Sequence, residues 1–375
     1  MGVTIERAES DEARARIYAF RYRIYVDEMG IDSPEADHDR RWLRDALDDS
    51  SVSFALLRDG VVIGALRATV LADVPAPASL VAKYAMEPAL AAFGPAEICT
   101  TSRFMLDPSA RHGTAILRLV VAAYREAMAR GVRLNYGDCS PHLLPFYEHL
   151  GYRRYTRAVN DTAYGFKIPI LMLMRDHEWF ARVRTPLGRV AKEFPDDTEA
   201  RAWFERSYPD QLGVETASLM DDGTFLELLG ERIAGDPLHQ LGLLHGLARD
   251  EADRFLARAT LVKAAPGDRI VRQGEPGDTL FVLLSGVADA VRDERPDESL
   301  AVFGAGDPFG EIGFLTAAPR SASVVARSAC EAVVLSGEWL RGFLAKDPQV
   351  AATVLLNLSR VLAARLADTN RRLVG

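Results

Sequence analysis

The stretch Phe309-Gly310-Glu311-Ile312-Gly313-Phe314-Leu315, followed by Pro319-Arg320-Ser321-Ala322-Ser323-Val324, decides how the last third of this chain folds. It is a glycine-bearing turn with one carboxylate, and an arginine comes nine residues after that carboxylate. In a small β-domain, a Glu and an Arg at that separation commonly form only an ion pair. A glycine turn, however, can aim several backbone N–H groups at one anion, and a guanidinium fork then completes a site for a phosphate. Working upstream, Gly267, Gly274, Gly277 and Gly286 punctuate short apolar runs from Thr260 onward, and Gly304 and Gly306 continue the pattern. Dense turns between β-rich runs predict a small barrel or jelly roll. Downstream, from Asp347, Val354, Leu358, Leu362 and Leu366 fall on one stripe of a helix.

These strings resemble the cyclic-nucleotide-binding family of the catabolite activator protein and the cAMP-dependent kinase regulatory subunit. The match extends through Gly267-Asp268-Arg269-Ile270, Arg272-Gln273-Gly274-Glu275-Pro276-Gly277-Asp278 and Leu280–Gly286, so that residues 240–375 form the expected domain. The resemblance implies that Glu311 takes a ribose 2′-hydroxyl and Arg320 a cyclic phosphate. Gly310, Ile312 and Ser321 would add backbone or hydroxyl groups, and the C-terminal helix would cap the base. The ligand implied is cAMP or cGMP, with cAMP the expectation. The chain stops at Gly375 with no helix-turn-helix after that helix. The expectation is therefore an output in the N-terminal domain rather than DNA binding.

Residues 1–175 carry a different pattern. Val61–Val70 and Ser53–Leu57 read as strands joined by Arg58-Asp59-Gly60, a hairpin signal. A helix is expected over Arg16–Met29 and capped by Gly30, then a strand over Ile98–Leu106 and a helix over Ala115–Arg130 that stops at Gly131. Strands at Val132–Asp138, Tyr152–Val159 and Tyr164–Met174, with a short helix at Leu143–Leu150, complete an α+β domain. The order, with Phe146-Tyr147-Glu148-His149-Leu150-Gly151-Tyr152, resembles the GNAT N-acyltransferase fold. Arg111-His112-Gly113-Thr114-Ala115 occupies the place of its pyrophosphate loop, where free N–H groups at a helix start can cradle phosphates. Phe20-Arg21-Tyr22-Arg23-Ile24-Tyr25-Val26-Asp27-Glu28-Met29-Gly30 and Ser102-Arg103-Phe104 resemble the acyl-homoserine-lactone synthase and N-acyl amino acid synthase branch.

The acyltransferase resemblance implies a thioester donor, acyl carrier protein or coenzyme A, and an amine acceptor. Aminolysis of a thioester needs a polarised carbonyl, a free amine and a proton for the leaving thiolate. An N–H at Phe104 or Met105 would polarise the carbonyl, and Tyr147 is the candidate acid. Glu97 is the candidate base, acting through water. A purely structural ring role for Tyr147 and a solvated strand-end role for Glu97 are the plainer readings. Arg103 is expected to pair with Asp27 or Glu28, and Arg21 and Arg23 to lie on a solvated helix face.

Between the two domains, residues 176–239 hold Trp179, Phe180, Trp203 and Phe204, broken by Pro186, Pro195, Pro209 and Pro237. Short helices forming a connector are expected. A net charge of −8 argues against sequence-independent nucleic-acid binding, which needs a basic surface. Cys99, Cys139 and Cys330 have neither CxxC spacing nor nearby His, so no metal site and reduced buried thiols are expected. Glu6 stands where a myristoylation signal needs Ser or Thr, and the apolar run Ile168–Met174 is too short to span a bilayer. A cytoplasmic protein is expected, and the Val354–Leu366 stripe is either a homodimer seam or a packed face. The reading is a nucleotide-regulated N-acyltransferase in which the C-terminal helix closes like a lid. A cAMP-gated protein-lysine acetyltransferase and a non-enzymatic sensor are the alternatives.

Overall fold

The computed structural model describes residues 2–31, 33–111, 115–161, 165–209, 224–233, 235–275, 277–316 and 318–374. They fall into two compact units. The first comprises Met1–Cys139, Phe146–Thr156 and Ile168–Leu212, and the second Ser140–Pro145, Arg157–Lys167 and Gly213–Gly375.

From the N-terminus to Leu173, the elements in chain order are β1 (Val3–Arg7), α1 (Asp11–Tyr22), β2 (Val52–Arg58), β3 (Val61–Val70), β4 (Ile98–Leu106), α2 (Ala115–Ala129), β5 (Leu134–Cys139), α3 (Leu144–Leu150), β6 (Arg153–Arg154), β7 (Val159–Asp161) and β8 (Gly165–Leu173). The sheet order is β1-β2-β3-β4-β5-β8-β6, with β7 paired to β8. Asp59 (φ 50°) and Gly60 (φ 81°) make the tight hairpin that Asp-Gly predicts, since both positions need positive φ. Among the described residues only β4 and β5 run parallel, through Ile98–Leu134, Cys99–Asn135 and Thr100–Tyr136. Beyond that register the two strands separate. The sheet buries both faces: Ile17, Phe20 and Met105 pack on one side, and Phe54, Leu66, Leu119 and Ala123 on the other.

Three elements differ from expectation. The first helix starts at Asp11, because Ser10 Oγ accepts from the Ala13 N–H at 3.1 Å, and it widens into a π-turn over Arg23–Glu28. Apolar spacing alone misses that capped first turn. The strand expected over Tyr152–Val159 reduces to Arg153–Arg154, because Tyr155 turns inward and donates to the Tyr84 carbonyl at 2.6 Å. The expected connector is divided: α4 (His177–Arg182), α5 (Gly188–Ala191) and α6 (Thr198–Ser207) belong to the first unit, where Trp203 and Phe204 join its core.

Arg21, expected on a solvated face, is fully buried. It lies four residues after Ile17 and three before Ile24, so the helical period turns it inward with them. Its Nη1 donates to Asp48 at 2.7 Å and its Nη2 to Ser53 Oγ at 3.2 Å. Arg67 extends this network to Asp45 (2.5 Å) and Asp48 (3.1 Å). Breaking one partner leaves a buried charge uncompensated, so Asp48→Ala is expected to cost about 3–5 kcal/mol, measured as a lowered urea midpoint. Burial pushes the Asp45 carboxyl up, but Arg67 and Arg103 outweigh it and hold it well below the ordinary aspartate range. A depressed carboxylate pKa stabilises fully above the unfolded value of about 3.9. That stability is lost as pH falls through the folded value, so an acid titration of unfolding should steepen below about pH 4, and Asp45→Asn should remove the steepening.

The second unit contains α7 (Thr224–Ile233), α8 (Arg249–Leu256), β9 (Thr260–Ala264), β10 (Arg269–Val271), β11 (Thr279–Ser285), β12 (Ala288–Arg292), β13 (Arg295–Phe303), β14 (Pro308–Phe309), α9 (Glu311–Thr316), β15 (Ser323–Ala326), β16 (Cys330–Ser336), α10 (Gly337–Lys346) and α11 (Pro348–Val374). Its strands form two four-stranded antiparallel sheets, β9-β16-β11-β14 and β10-β15-β12-β13. By length and composition alone, Pro348–Ala367 of α11 could cross a membrane. Here its Val350, Ala351, Val354 and Leu358 are buried in the unit's core, and Asn357 Nδ2 donates to the Leu243 and His245 carbonyls.

Candidate functional site

The first candidate site lies where β4 and β5 part. Arg67 pairs with Ser102 and Ala65 with Met105, so Arg103 and Phe104 together oppose the single residue Leu66, which is a β-bulge. Arg103 sits in it at φ 52°, a conformation an arginine adopts only when held. Its Nη2 donates to Asp45 at 2.7 Å and Glu35 at 2.5 Å, and its guanidinium lies 5.4 Å from the Tyr25 ring centre. The partners expected for Arg103 are engaged elsewhere, Asp27 with Arg41 and Glu28 with Arg111. Glu35 sits on an irregular segment and Asp45 caps the short helix Ala46–Ser50, so neither position points in sequence to a pairing with Arg103.

Phe104 meets Tyr147 edge-on, with ring centres 6.3 Å apart, and Tyr147 meets Tyr152 in the same way at 5.6 Å. Burial, then Cys139, Tyr152 and Asp138, push the Tyr147 phenol well above its ordinary pKa. It therefore keeps its proton at neutral pH. Phe104 and Tyr147 line a narrow crevice between the sheet and α2, together with Val120, Ala123 and Met172. Its open volume is about 20 Å³, room for a single water. Across its wall, Asn135 Nδ2 donates to Thr101 Oγ1 (2.9 Å) and to Tyr152 Oη (3.0 Å). These groups satisfy one another, and most of the remaining lining is apolar.

Not every expected residue arrives here. Met105 faces the opposite side of the sheet, in the cluster with Ile17 and Phe20. Arg111 is tied to Glu28 and to the Leu106 carbonyl. Ala115 opens α2 and packs near Phe104, whereas His112, Gly113 and Thr114 lie outside the described residues. Glu97 stands at the far end of β4, seven residues from Phe104, or about 23 Å along a strand. It accepts from the Gly94 N–H at 2.9 Å and pairs with Arg133 at 3.4 Å. Glu97→Gln is accordingly expected to leave turnover within about threefold of the parent, compared by initial rates. The carboxylate that acts on Tyr147 is Asp138, held by Tyr84 Oη (2.8 Å) and Lys83 (3.2 Å). The end of β5 is where a reader of the sequence could have looked for it.

The second candidate site is built on the glycine turn. Gly310, at φ 81°, ends β14 and lets Glu311 start α9. Arg320 is buried: Nη1 donates to the carbonyls of Gly310 (2.8 Å) and Thr279 (2.9 Å), and Nη2 to Thr279 Oγ1 (2.5 Å). A side chain at Gly277 would run into this guanidinium, so only glycine allows the approach. Burial lowers the Arg320 pKa, against the pull of Asp278, Glu275 and Glu311. Glu311 faces Arg365 of α11 at 3.5 Å, and Arg365 also donates to the Pro308 carbonyl and covers the Phe303 ring at 5.0 Å. The structure thus gathers Gly310, Glu311 and Arg320 at one place, with Ser321 and Ile312 exposed beside them. Thr279 and Arg365 were missed, Thr279 because it opens a strand rather than sitting in the turn.

Comparison with known proteins follows the same division. Residues 16–176 match the family model described as N-acyl amino acid synthase FeeM, and residues 261–347 the cyclic nucleotide-binding domain. A CRP-like cAMP-activated global transcriptional regulator of Mycobacterium tuberculosis is 30% identical over 139 residues, 36% of this chain and 60% of that protein. A cAMP-dependent protein kinase regulatory subunit of Colletotrichum orbiculare is 35% identical over 113 residues, 28% of this chain and 29% of that one. Among solved structures, a cyclic nucleotide-binding domain from Methylobacillus flagellatus is 26% identical, with a TM-score of 0.37 over 44% of this chain and 89% of that one. The chain thus spans 60% or less of the length of these two curated relatives. With the bulge at Arg103 and the Gly310–Arg320 turn in place, the chain joins a domain of the N-acyl amino acid synthase family to a cyclic nucleotide-binding domain.

Proposed function

We propose that the chain is an N-acyltransferase controlled by a cyclic nucleotide, with cAMP the nucleotide. It moves an acyl group from a thioester of acyl carrier protein or coenzyme A to the amine of an amino acid, in the cytoplasm. The observation that carries this reading is the match of residues 16–176 to the N-acyl amino acid synthase model, with Phe104 and Tyr147 lining one crevice in that region. The N-acyl amino acid synthase match favours an amino-acid acceptor over a protein lysine.

The amine nitrogen attacks the thioester carbonyl carbon, forming the C–N bond while negative charge grows on the carbonyl oxygen. A backbone N–H at Phe104 or Met105, beside the bulge, stabilises that charge. Collapse breaks the C–S bond, and the Tyr147 phenol protonates the leaving thiolate. Asp138 takes up the proton that the amine loses.

In the second unit, Arg320 binds the cyclic phosphate and Glu311 the ribose hydroxyl. That hydroxyl competes with Arg365 for Glu311, so nucleotide binding frees Arg365 and shifts α11. A coupling of about 1–3 kcal/mol would change turnover or donor affinity roughly 5- to 150-fold. Arg365→Ala tests this step by calorimetry: tighter nucleotide binding is expected, and unchanged or weaker binding speaks against competition for Glu311. Incubating the chain with acyl thioesters and the twenty amino acids, with product identified by mass spectrometry, tests the catalytic reading. Absence of any N-acyl product would overturn it.

A further inference from the structure

We propose that Lys83 receives the α-carboxylate of the acceptor amino acid, so that amino acids are acylated in preference to amines that lack that group. This deepens the acyltransferase reading and rests on it. Asp138, which takes up the amine's proton in that reading, pairs with Pro169 of β8. It stands two residues past Thr100–Tyr136, the last parallel pair of β4 and β5. Lys83 Nζ lies 3.2 Å from Asp138 Oδ2, and the two side chains are 39% and 19% exposed. A carboxylate and an ammonium in contact, both reachable from solvent, therefore stand where the strands part.

The backbone behind this pair is fixed. Lys83 and Tyr84 end the short helix Ala78–Tyr84, which stops at Ala85 in the left-handed conformation (φ 47°). The N–H groups of Ala85 and Met86 close the last turn on the carbonyls of Ala82 (3.3 Å) and Val81 (3.0 Å), and Met86 is fully buried. Tyr155 Oη donates to the Tyr84 carbonyl at 2.6 Å. Tyr84 Oη donates in turn to Asp138 Oδ2 at 2.8 Å, the same oxygen that Lys83 approaches. Burial, then Asp138, push the Tyr84 phenol well above its ordinary pKa, so it stays a donor. Among the described residues no hydrogen bond falls on Asp138 Oδ1. Oδ2 is thus the held oxygen, and Oδ1 is the one that meets the incoming amine. Lys83 Nζ lies 5.3 Å from the Tyr84 ring centre, which keeps the ammonium folded back beside the carboxylate. An ammonium has three donors and can bridge Asp138 and a second carboxylate. An α-amino acid carries its amine and its carboxylate on one carbon, so it needs adjacent partners of opposite sign. Asp138 and Lys83 are such partners.

The test supplies the chain with acyl-coenzyme A and acyl-carrier-protein thioesters, and offers each of the twenty amino acids beside its own α-carboxamide. Both members of each pair are compared by kcat/KM. A disturbance of Asp138 acts on both substrates alike, so their ratio isolates the contact with the carboxylate. The parent should favour the free amino acid by about 10- to 150-fold, the range of a charge-assisted hydrogen bond. Lys83→Met keeps the stem and removes the charge, and it should lower that preference by about tenfold or more, chiefly through KM. Lys83→Arg should keep most of it, and circular dichroism checks that each variant folds. A preference unchanged in Lys83→Met, or a parent that acylates the carboxamide as readily as the amino acid, would overturn the role of Lys83 while leaving the acyltransferase reading intact. No acylation of either substrate by the parent would overturn both.

Discussion

Arg320→Leu is expected to weaken cyclic-nucleotide binding on the order of 100-fold or more, equivalent to about 3 kcal/mol, while the chain stays folded. The guanidinium is already positioned: two carbonyls and the Thr279 hydroxyl hold it, and Gly277 leaves it room. No ordering cost then falls on binding, so nearly all of the charge-assisted interaction with a phosphate appears as affinity. Leucine also leaves Glu311, Asp278 and Glu275 without the cation they surround, which adds repulsion toward an anionic ligand. Arg320→Lys should recover only part of the loss, because an ammonium cannot bond Thr279, Gly310 and a phosphate in one plane. Isothermal titration with cAMP and cGMP measures this, and near-parent affinity for Arg320→Leu would remove this residue from the site.

The second large effect is on chemistry. Tyr147→Phe keeps the ring that meets Phe104 and Tyr152 edge-on and removes only the phenol hydroxyl and its proton. If that proton goes to the leaving thiolate, kcat should fall roughly 10²- to 10⁴-fold, the range of general acid catalysis. KM should change little, because the crevice lining is untouched. Because burial holds the phenol well above its ordinary pKa, the acidic form persists through neutral and mildly alkaline pH. The parent's rate should therefore show no alkaline loss near pH 8 from this group. A purely packing role for Tyr147 predicts parent-like kcat in the Phe variant.

Much of this arrangement could be read from residue order, and the parts that could not share a cause. Gly310, Glu311 and Arg320 lie within one short stretch, and the turn that joins them is local, so their meeting follows from the chain itself. Phe104 and Tyr147 were legible for a similar reason, since a strand-helix-strand crossover brings their ends together. Long-range electrostatics were not legible. Arg103 meets Asp45 and Glu35 across many residues, and Arg365 reaches Glu311 from a helix far down the chain. Arg21 was recoverable, because its spacing from Ile17 and Ile24 marks the buried face, but its charge invited a solvated reading. Glu97 shows the opposite error: a carboxylate on the right strand stands at the wrong end of it. The segment after residue 176 looked like a connector because prolines break it, whereas Trp179, Phe180 and Leu187 pack within the first unit.

The most direct measurement of the central claim is the rate of acyl transfer across a cyclic-nucleotide titration, run in parallel on the parent and Arg320→Leu. The parent's rate should change saturably by several-fold or more, with its midpoint at the nucleotide dissociation constant, and the variant's response should be flat. An acyl-transfer rate in the parent that is the same without nucleotide and at saturation would contradict it.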